Sequence, residues 1–149
     1  MRHIVIREMK ESDIPHVVEI ENISFSTPWS SHSFLREIYK PYSISMVALI
    51  GDRILGYICA EMIIDEAHIL NLAVHPDFRR MGVGSLLVSR LLEEVERKGC
   101  RYIYLEVRTS NLAAKRLYER FNFKVVGVRR HYYVHPDEDA LIMMLELSH

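Results

Sequence analysis

The stretch that most limits what this chain can become lies between residues 67 and 99. Ala67 to Val74 is strongly apolar and reads as a strand, which Pro76-Asp77 ends. Gly84 to Lys98 then carries Leu87, Val88, Leu91, Leu92 and Val95 on one helical face, with Arg90, Glu93, Glu94 and Arg97 on the other. Gly99 is a natural stop just past its end. Between strand and helix stands Arg79-Arg80-Met81-Gly82-Val83-Gly84-Ser85. A helix N-terminus offers unpaired N–H groups and the positive end of the helix dipole, so it suits a phosphate. Gly82 and Gly84 let the backbone approach such a ligand, and Arg79 and Arg80 add fixed positive charge.

The remaining elements follow from periodicity and punctuation. His3 to Arg7 reads as a short strand, and Ser12 caps a helix with Asp13 and Pro15 in its first turn. Its stripe of Ile14, Val17, Val18 and Ile20 fades near Phe25. After the break at Thr27-Pro28-Trp29-Ser30, Ser30 or Ser31 starts a second short helix that runs to about Tyr39 and stops before Pro41. Ser43 to Ile50 and Arg53 to Ile64 flank Gly51-Asp52, a two-residue hairpin signal, and Asp65-Glu66 makes another turn. Tyr102 to Val107 is a strand and Asn111 to Phe121 a helix, with Asn122 as a left-handed terminal residue. Phe123 to Val128 and Ala140 to Leu147 are two final strands joined by a polar, aromatic stretch. The order β-α-α-β-β-β-α-β-α-β-β predicts a mixed α/β fold, helices on a central sheet, with residues 1–149 forming one domain.

Among phosphate-binding turns, two patterns fail. The Walker turn needs Lys-Ser/Thr after its second glycine, where this chain has Ser85-Leu86, and the dinucleotide turn needs a small residue where Leu87 stands. The pattern Arg/Gln-x-x-Gly-x-Gly/Ala is met in full by Arg79, Gly82 and Gly84. It is the pyrophosphate loop of the GNAT superfamily of N-acetyltransferases, which the chain resembles over nearly its whole length. Within that superfamily it resembles the RimI-type ribosomal-protein alanine N-acetyltransferases. The similarity runs through Pro28-Trp29-Ser30, Asn71-Leu72-Ala73-Val74, Leu105 to Asn111 with Ala113-Ala114 and Leu117-Tyr118-Glu119, Arg129 to Tyr133, and Glu138-Asp139-Ala140. Two departures are small: Asn122 stands where these enzymes often carry Gly, and the 134–139 loop is shorter than in some members.

The resemblance implies a GNAT-like fold with a mixed, mostly antiparallel sheet, acetyl-CoA as co-substrate, and no metal. It implies that backbone groups of Leu72, Ala73 and Val74 hold the pantetheine arm like an added strand. It further implies that the turn Arg79, Arg80, Met81, Gly82, Val83, Gly84 and Ser85 takes the pyrophosphate and that Asn111 touches the cofactor. Asn111 equally reads as a helix cap.

Acetyl transfer to an amine needs a neutral amine, a polarised carbonyl and a stabilised leaving thiolate. Alternation along 102–108 puts Ile103, Leu105 and Val107 on one face and Tyr104, Glu106 and Arg108 on the other. A carboxylate in so apolar a strand is a candidate general base, or else a partner for Arg108. The resemblance implies the former. Tyr118 shares a helical face with Ala114 and Phe121, which alone reads as core packing. The resemblance makes it the general acid. Ordinary values of about 8.5 for a thiol and 10 for tyrosine make full proton transfer uphill by roughly 2 kcal/mol, so hydrogen bonding carries much of that role. An α-amine titrates near 8 and a lysine near 10.4, so neutralising lysine costs about 3 kcal/mol more, which favours an α-amine for a lone carboxylate base.

The implied acceptor is the N-terminal alanine of ribosomal protein S18. Acetylation of a small amine or a lysine, and a non-catalytic acyl-CoA-binding module, are the alternatives the same cradle allows. Trp29, Tyr132 and Tyr133 are candidates for a peptide groove or for core packing. Glu66, Asp137 and Glu138 are candidates to meet a basic tail or are solvated charge.

Composition adds exclusions. With 19 basic and 20 acidic residues the net charge is -1, which argues against a general nucleic-acid binder. No apolar run reaches the roughly 20 residues of a membrane helix, and the start of the chain is charged too soon for a signal peptide. The two cysteines, Cys59 and Cys100, fit no metal spacing and read as buried reduced thiols. His131 and His135 are four apart without a helix signal or third ligand, a poor metal site. Together these features predict a cytoplasmic protein.

Overall fold

A computed structural model describes residues 3–147. The strands are β1 (Val5–Glu8), β2 (Ser43–Ile50), β3 (Arg53–Ile63), β4 (Glu66–Val74), β5 (Tyr102–Arg108), β6 (Lys124–Tyr133) and β7 (Glu138–Glu146). The helices are α1 (Ile14–Ser24), α2 (Ser31–Ile38), α3 (Val83–Arg97) and α4 (Leu112–Arg120). The element order expected from the sequence is the one found. The strands form one sheet in the order β1-β2-β3-β4-β5-β7-β6. All neighbours are antiparallel except β4 and β5, which run parallel. No helix among the described residues is long and apolar enough to cross a membrane.

Helix α3 covers one face of the sheet. Val83, Leu87, Val88, Leu91 and Val95 are buried there against Leu55, Ile58, Ile103 and Met143. Each such side chain contributes about 1.5–3 kcal/mol of burial. Helices α1 and α2 cover part of the other face, where Val17, Ile20 and Phe34 meet Val47, Tyr57 and Ala73. Cys59 and Cys100 are both buried, and no disulfide joins them.

Local signals were largely faithful. Ser30 caps α2, accepting from Ser33 N at 3.1 Å, and Asn111 caps α4, accepting from Ala114 N at 3.1 Å. Asn122 and Gly99 both take left-handed φ values, 72° and 86°. Three expectations need correction. Ser12 does not cap α1: a short 3-10 turn, Glu11–Asp13, leads into it, and Asp13 is instead held by Lys10 N at 2.7 Å and by Arg7. The turn after β3 lies at Ile64-Asp65, with Glu66 already in β4. Strand β6 continues to Tyr133 through the stretch read as a loop, because β7 starts early at Glu138 and pairs with Tyr133.

Two features of β4 shape the site. Its pairing with β5 covers only Glu66↔Tyr102, Ala67↔Ile103 and His68↔Tyr104. Beyond that point the two strands part, leaving the upper half of β4 unpaired along that edge. The register with β3 also slips: Cys59 faces Asn71 while Ala60 faces Ile69, so Leu70 bulges out.

Candidate active site

The parting of β4 and β5 opens a cleft of about 640 Å³. Leu72, Ala73 and Val74 line one wall, the turn with Arg79, Arg80, Gly82, Val83, Gly84 and Ser85 forms the end, and α4 closes the far side through Asn111, Ala114 and Leu117. Ten of the eleven residues expected to hold a cofactor therefore converge on one space. The exception is Met81, which lies on the turn with its side chain about half exposed, outside the lining.

The end of the cleft is built for an anion. Gly82 occupies the N-cap position of α3 at φ 80° and makes no side-chain cap. The first N–H groups of the helix are thus left for a ligand. Arg80 also adopts a left-handed φ of 65°, an uncommon backbone state for a non-glycine residue. Four guanidinium groups, Arg79, Arg80, Arg116 and Arg120, border the same space, and Arg79 is steadied by its Nε donating to Val74 O at 3.3 Å. Gly84 has Leu117 Cδ2 at 3.4 Å and Val74 Cγ2 at 3.8 Å from where a Cβ would stand, so a methyl there would meet both walls of the cleft at ordinary contact distance. Uncapped amides, four cations and an unpaired strand edge fit a diphosphate with a pantetheine arm.

Glu106 lies on β5 just past the fork and is nearly buried, with 6% of its side chain exposed. Its expected alternative partner does not take it: Arg108 instead pairs with Glu138 at 3.3 Å and stacks on Tyr133 at 4.3 Å. The groups that meet Glu106 are His68, whose Nε2 is 2.6 Å from Oε2, and Arg129, 4.0 Å from Oε1. Neither was singled out from the sequence. Tyr118 is 5% exposed and packs edge-on against Phe123, with centroids 5.4 Å apart. Burial pushes its hydroxyl well above the ordinary tyrosine range, and the neighbouring Tyr133 adds to the effect. Tyr133 itself is pushed up to about 12, first by burial and then by charge around it that includes Glu106. Tyr133 thus feels Glu106 and acts on Tyr118.

A second buried cluster braces the cleft. Glu21 of α1 accepts from Trp29 N at 2.9 Å, from Asn71 Nδ2 at 2.7 Å and from the Tyr57 hydroxyl. Burial raises its carboxyl above the usual range. Trp29, a groove candidate, is fixed by this bond and packs on Phe34 at 5.1 Å. Tyr132 and Tyr133 meet edge-on at 5.0 Å. Of the acidic residues considered for a basic tail, Glu138 is engaged internally with Arg108, Thr109 and Ser110, and Asp137 pairs with His131. Glu66 is exposed at the start of β4.

Comparison with known proteins agrees with this geometry. Residues 14–123 match the family model described as acetyltransferase (GNAT) family. The chain is 36% identical over 142 residues to the ribosomal protein bS18-alanine N-acetyltransferase of Salmonella typhimurium, covering 94% of this chain and 95% of that protein. It is 35% identical over 145 residues to the enzyme of the same name from Escherichia coli K12, covering 96% and 97%. The crystal structure of the ribosomal-protein-S18-alanine N-acetyltransferase from Escherichia coli superposes with a TM-score of 0.91 at 32% identity, over 99% of this chain and 96% of that one. The chain belongs to the acetyltransferase (GNAT) family and is an acetyl-CoA-dependent N-acetyltransferase.

Proposed function

We propose that this enzyme, acting as one domain, acetylates the N-terminal α-amine of a protein, and that its acceptor is the N-terminal alanine of ribosomal protein S18, which makes it a cytoplasmic enzyme. The observation that carries the reading is a nearly buried carboxylate, Glu106, set just past a fork whose other end is a four-arginine phosphate cradle. The names of relatives 35–36% identical over nearly the whole chain favour the S18 acceptor.

Acetyl-CoA supplies an activated thioester. The turn from Arg79 to Ser85 holds its diphosphate, and the free edge of Leu72 to Val74 aligns its arm, with a backbone N–H of that edge polarising the acetyl carbonyl. Asn111, already the cap of α4, touches the cofactor from the far wall. Glu106 takes a proton from the incoming amine, forming its O–H bond as the N–H bond breaks. Tyr118, buried on α4 against Phe123 and not itself part of the cleft lining, is the group assigned to the leaving sulfur. Because burial holds its proton tightly, its part is to donate a hydrogen bond to the thiolate rather than to surrender the proton.

The kinetic test is Glu106→Gln. The variant should bind acetyl-CoA as the wild type does and lose turnover by about 10²-fold or more, the usual weight of a general base. Unchanged turnover would remove Glu106 from the role.

A further inference from the structure

Glu106 is not held by the charge that sequence alternation offers it. Its closest polar contact comes from β4, where His68 Nε2 lies 2.6 Å from Oε2. His68 and Tyr104 are the last paired residues before β4 and β5 part. The two rings stack at 4.3 Å with planes 10° apart, which fixes the imidazole plane. An ionised carboxylate only accepts, so Nε2 carries the hydrogen and donates it. The other oxygen, Oε1, has Arg129 at 4.0 Å, beyond hydrogen-bond reach. One oxygen is therefore tied down and the other is left open.

We infer that His68 is a positioning residue of the acetyl transfer, a role that rests on Glu106 being the base as proposed above. By occupying Oε2, it holds the carboxylate in the rotamer that turns Oε1 toward the amine. The amine proton goes to Oε1 and leaves from there to water, while His68 keeps its own hydrogen throughout. A nearly buried carboxylate has few waters to orient it, so a fixed donor decides its aim. The remaining charged and titratable groups around the pair are Glu61, the register partner of His68 on β3, with Lys40 bound to it at 3.0 Å, then Tyr104 and Arg129, and on β6 Tyr132 and Tyr133, whose hydroxyls feel the charge of Glu106. Glu61 and Lys40 are engaged with one another, and Arg129 stands off at 4.0 Å, so His68 is the group that fixes Glu106.

Steady-state kinetics on an alanine-first peptide test this with His68→Ala, His68→Gln, Glu106→Gln and the double variant His68→Ala/Glu106→Gln. We expect His68→Ala to lower kcat about 10-fold or more with KM for acetyl-CoA unchanged. His68→Gln, whose amide nitrogen can donate from a similar reach, should recover to within about threefold of wild type. The double variant should be no slower than Glu106→Gln alone, because the two residues act as one unit. A kcat for His68→Ala within about twofold of wild type overturns the inference, as does a double variant slowed by the full product of the single effects. If Glu106→Gln is itself as fast as wild type, the base assignment falls; if it is slow while His68→Ala is normal, only the role of His68 falls. Should His68→Ala fail to fold, His68→Asn, polar but too short to reach, takes its place with the same expected loss.

Discussion

Asn71 reaches from β4 to donate its amide to Glu21 of α1 at 2.7 Å, tying the strand that lines the cofactor cleft to the helix pair on the opposite face of the sheet. Glu21 is 1% exposed and also receives Trp29 N and the Tyr57 hydroxyl. Replacing it with alanine strands three donors, the buried Tyr57 hydroxyl and the partly buried Trp29 N and Asn71 Nδ2. We expect Glu21→Ala to destabilise the fold by about 2–4 kcal/mol, measured by urea denaturation, since each unsatisfied buried group costs about 1–3 kcal/mol and water recovers part. The carboxyl is raised by burial, so the folded state binds its proton more tightly than the unfolded chain does. The wild type therefore loses stability as pH rises from the ordinary carboxylate range through the raised value, and Glu21→Ala should flatten that limb.

Glu138 shows the opposite sign. Hydrogen bonds from Ser110, joined by Thr109 and Arg108, hold its carboxyl at about 2. Its stabilising effect is complete above the ordinary carboxylate value of roughly 4.3 and fades as pH falls toward about 2. The melting temperature of Glu138→Gln should lie below wild type at pH 7, and the gap should narrow as pH falls below the ordinary carboxylate range and close only at and below about 2. A gap that persists unchanged in acid would contradict this assignment.

The glycine at position 82 is required by conformation rather than by space. Its φ is 80°, and nothing lies within 4 Å of where a Cβ would stand. Gly82→Val should strain the turn by about 1–2 kcal/mol, because a β-branched residue resists the left-handed region. Calorimetry with acetyl-CoA should show affinity reduced about 10-fold or more while the melting temperature shifts only a few degrees.

Gly56 is the contrasting case. A Cβ there would lie 2.7 Å from Ala73 O and 3.3 Å from Val74 Cγ2, in the pair of strands that carries the cleft wall. Gly56→Ala should cost about 1–3 kcal/mol and weaken acetyl-CoA binding together, because the backbone that must move is the one proposed to hold the cofactor arm. Denaturation and calorimetry on the same preparation check both.

Much of this was legible from residues alone. The glycine turn before a strongly periodic helix marked the turn that closes one end of the cleft, and alternation placed Glu106 opposite the core face. What alternation could not reveal is the company Glu106 keeps. His68 and Asn71 are three apart, so a regular strand would put them on opposite faces. The bulge at Leu70 puts both on one face, paired with Glu61 and Cys59. That irregularity brings His68 to Glu106 and Asn71 to Glu21, and no turn residue in the sequence marks it. The extension of β6 was hidden likewise, because its polar and aromatic residues lie on an edge strand that needs no apolar alternation.

The choice of an α-amine as acceptor is tested most directly by a peptide that begins Ala-Arg and carries an internal lysine, incubated with enzyme and acetyl-CoA and mapped by tandem mass spectrometry. One acetyl group on the α-amine, with no reaction when that amine is blocked, is the expected result. Acetylation confined to the lysine, or of the blocked peptide alone, would contradict it.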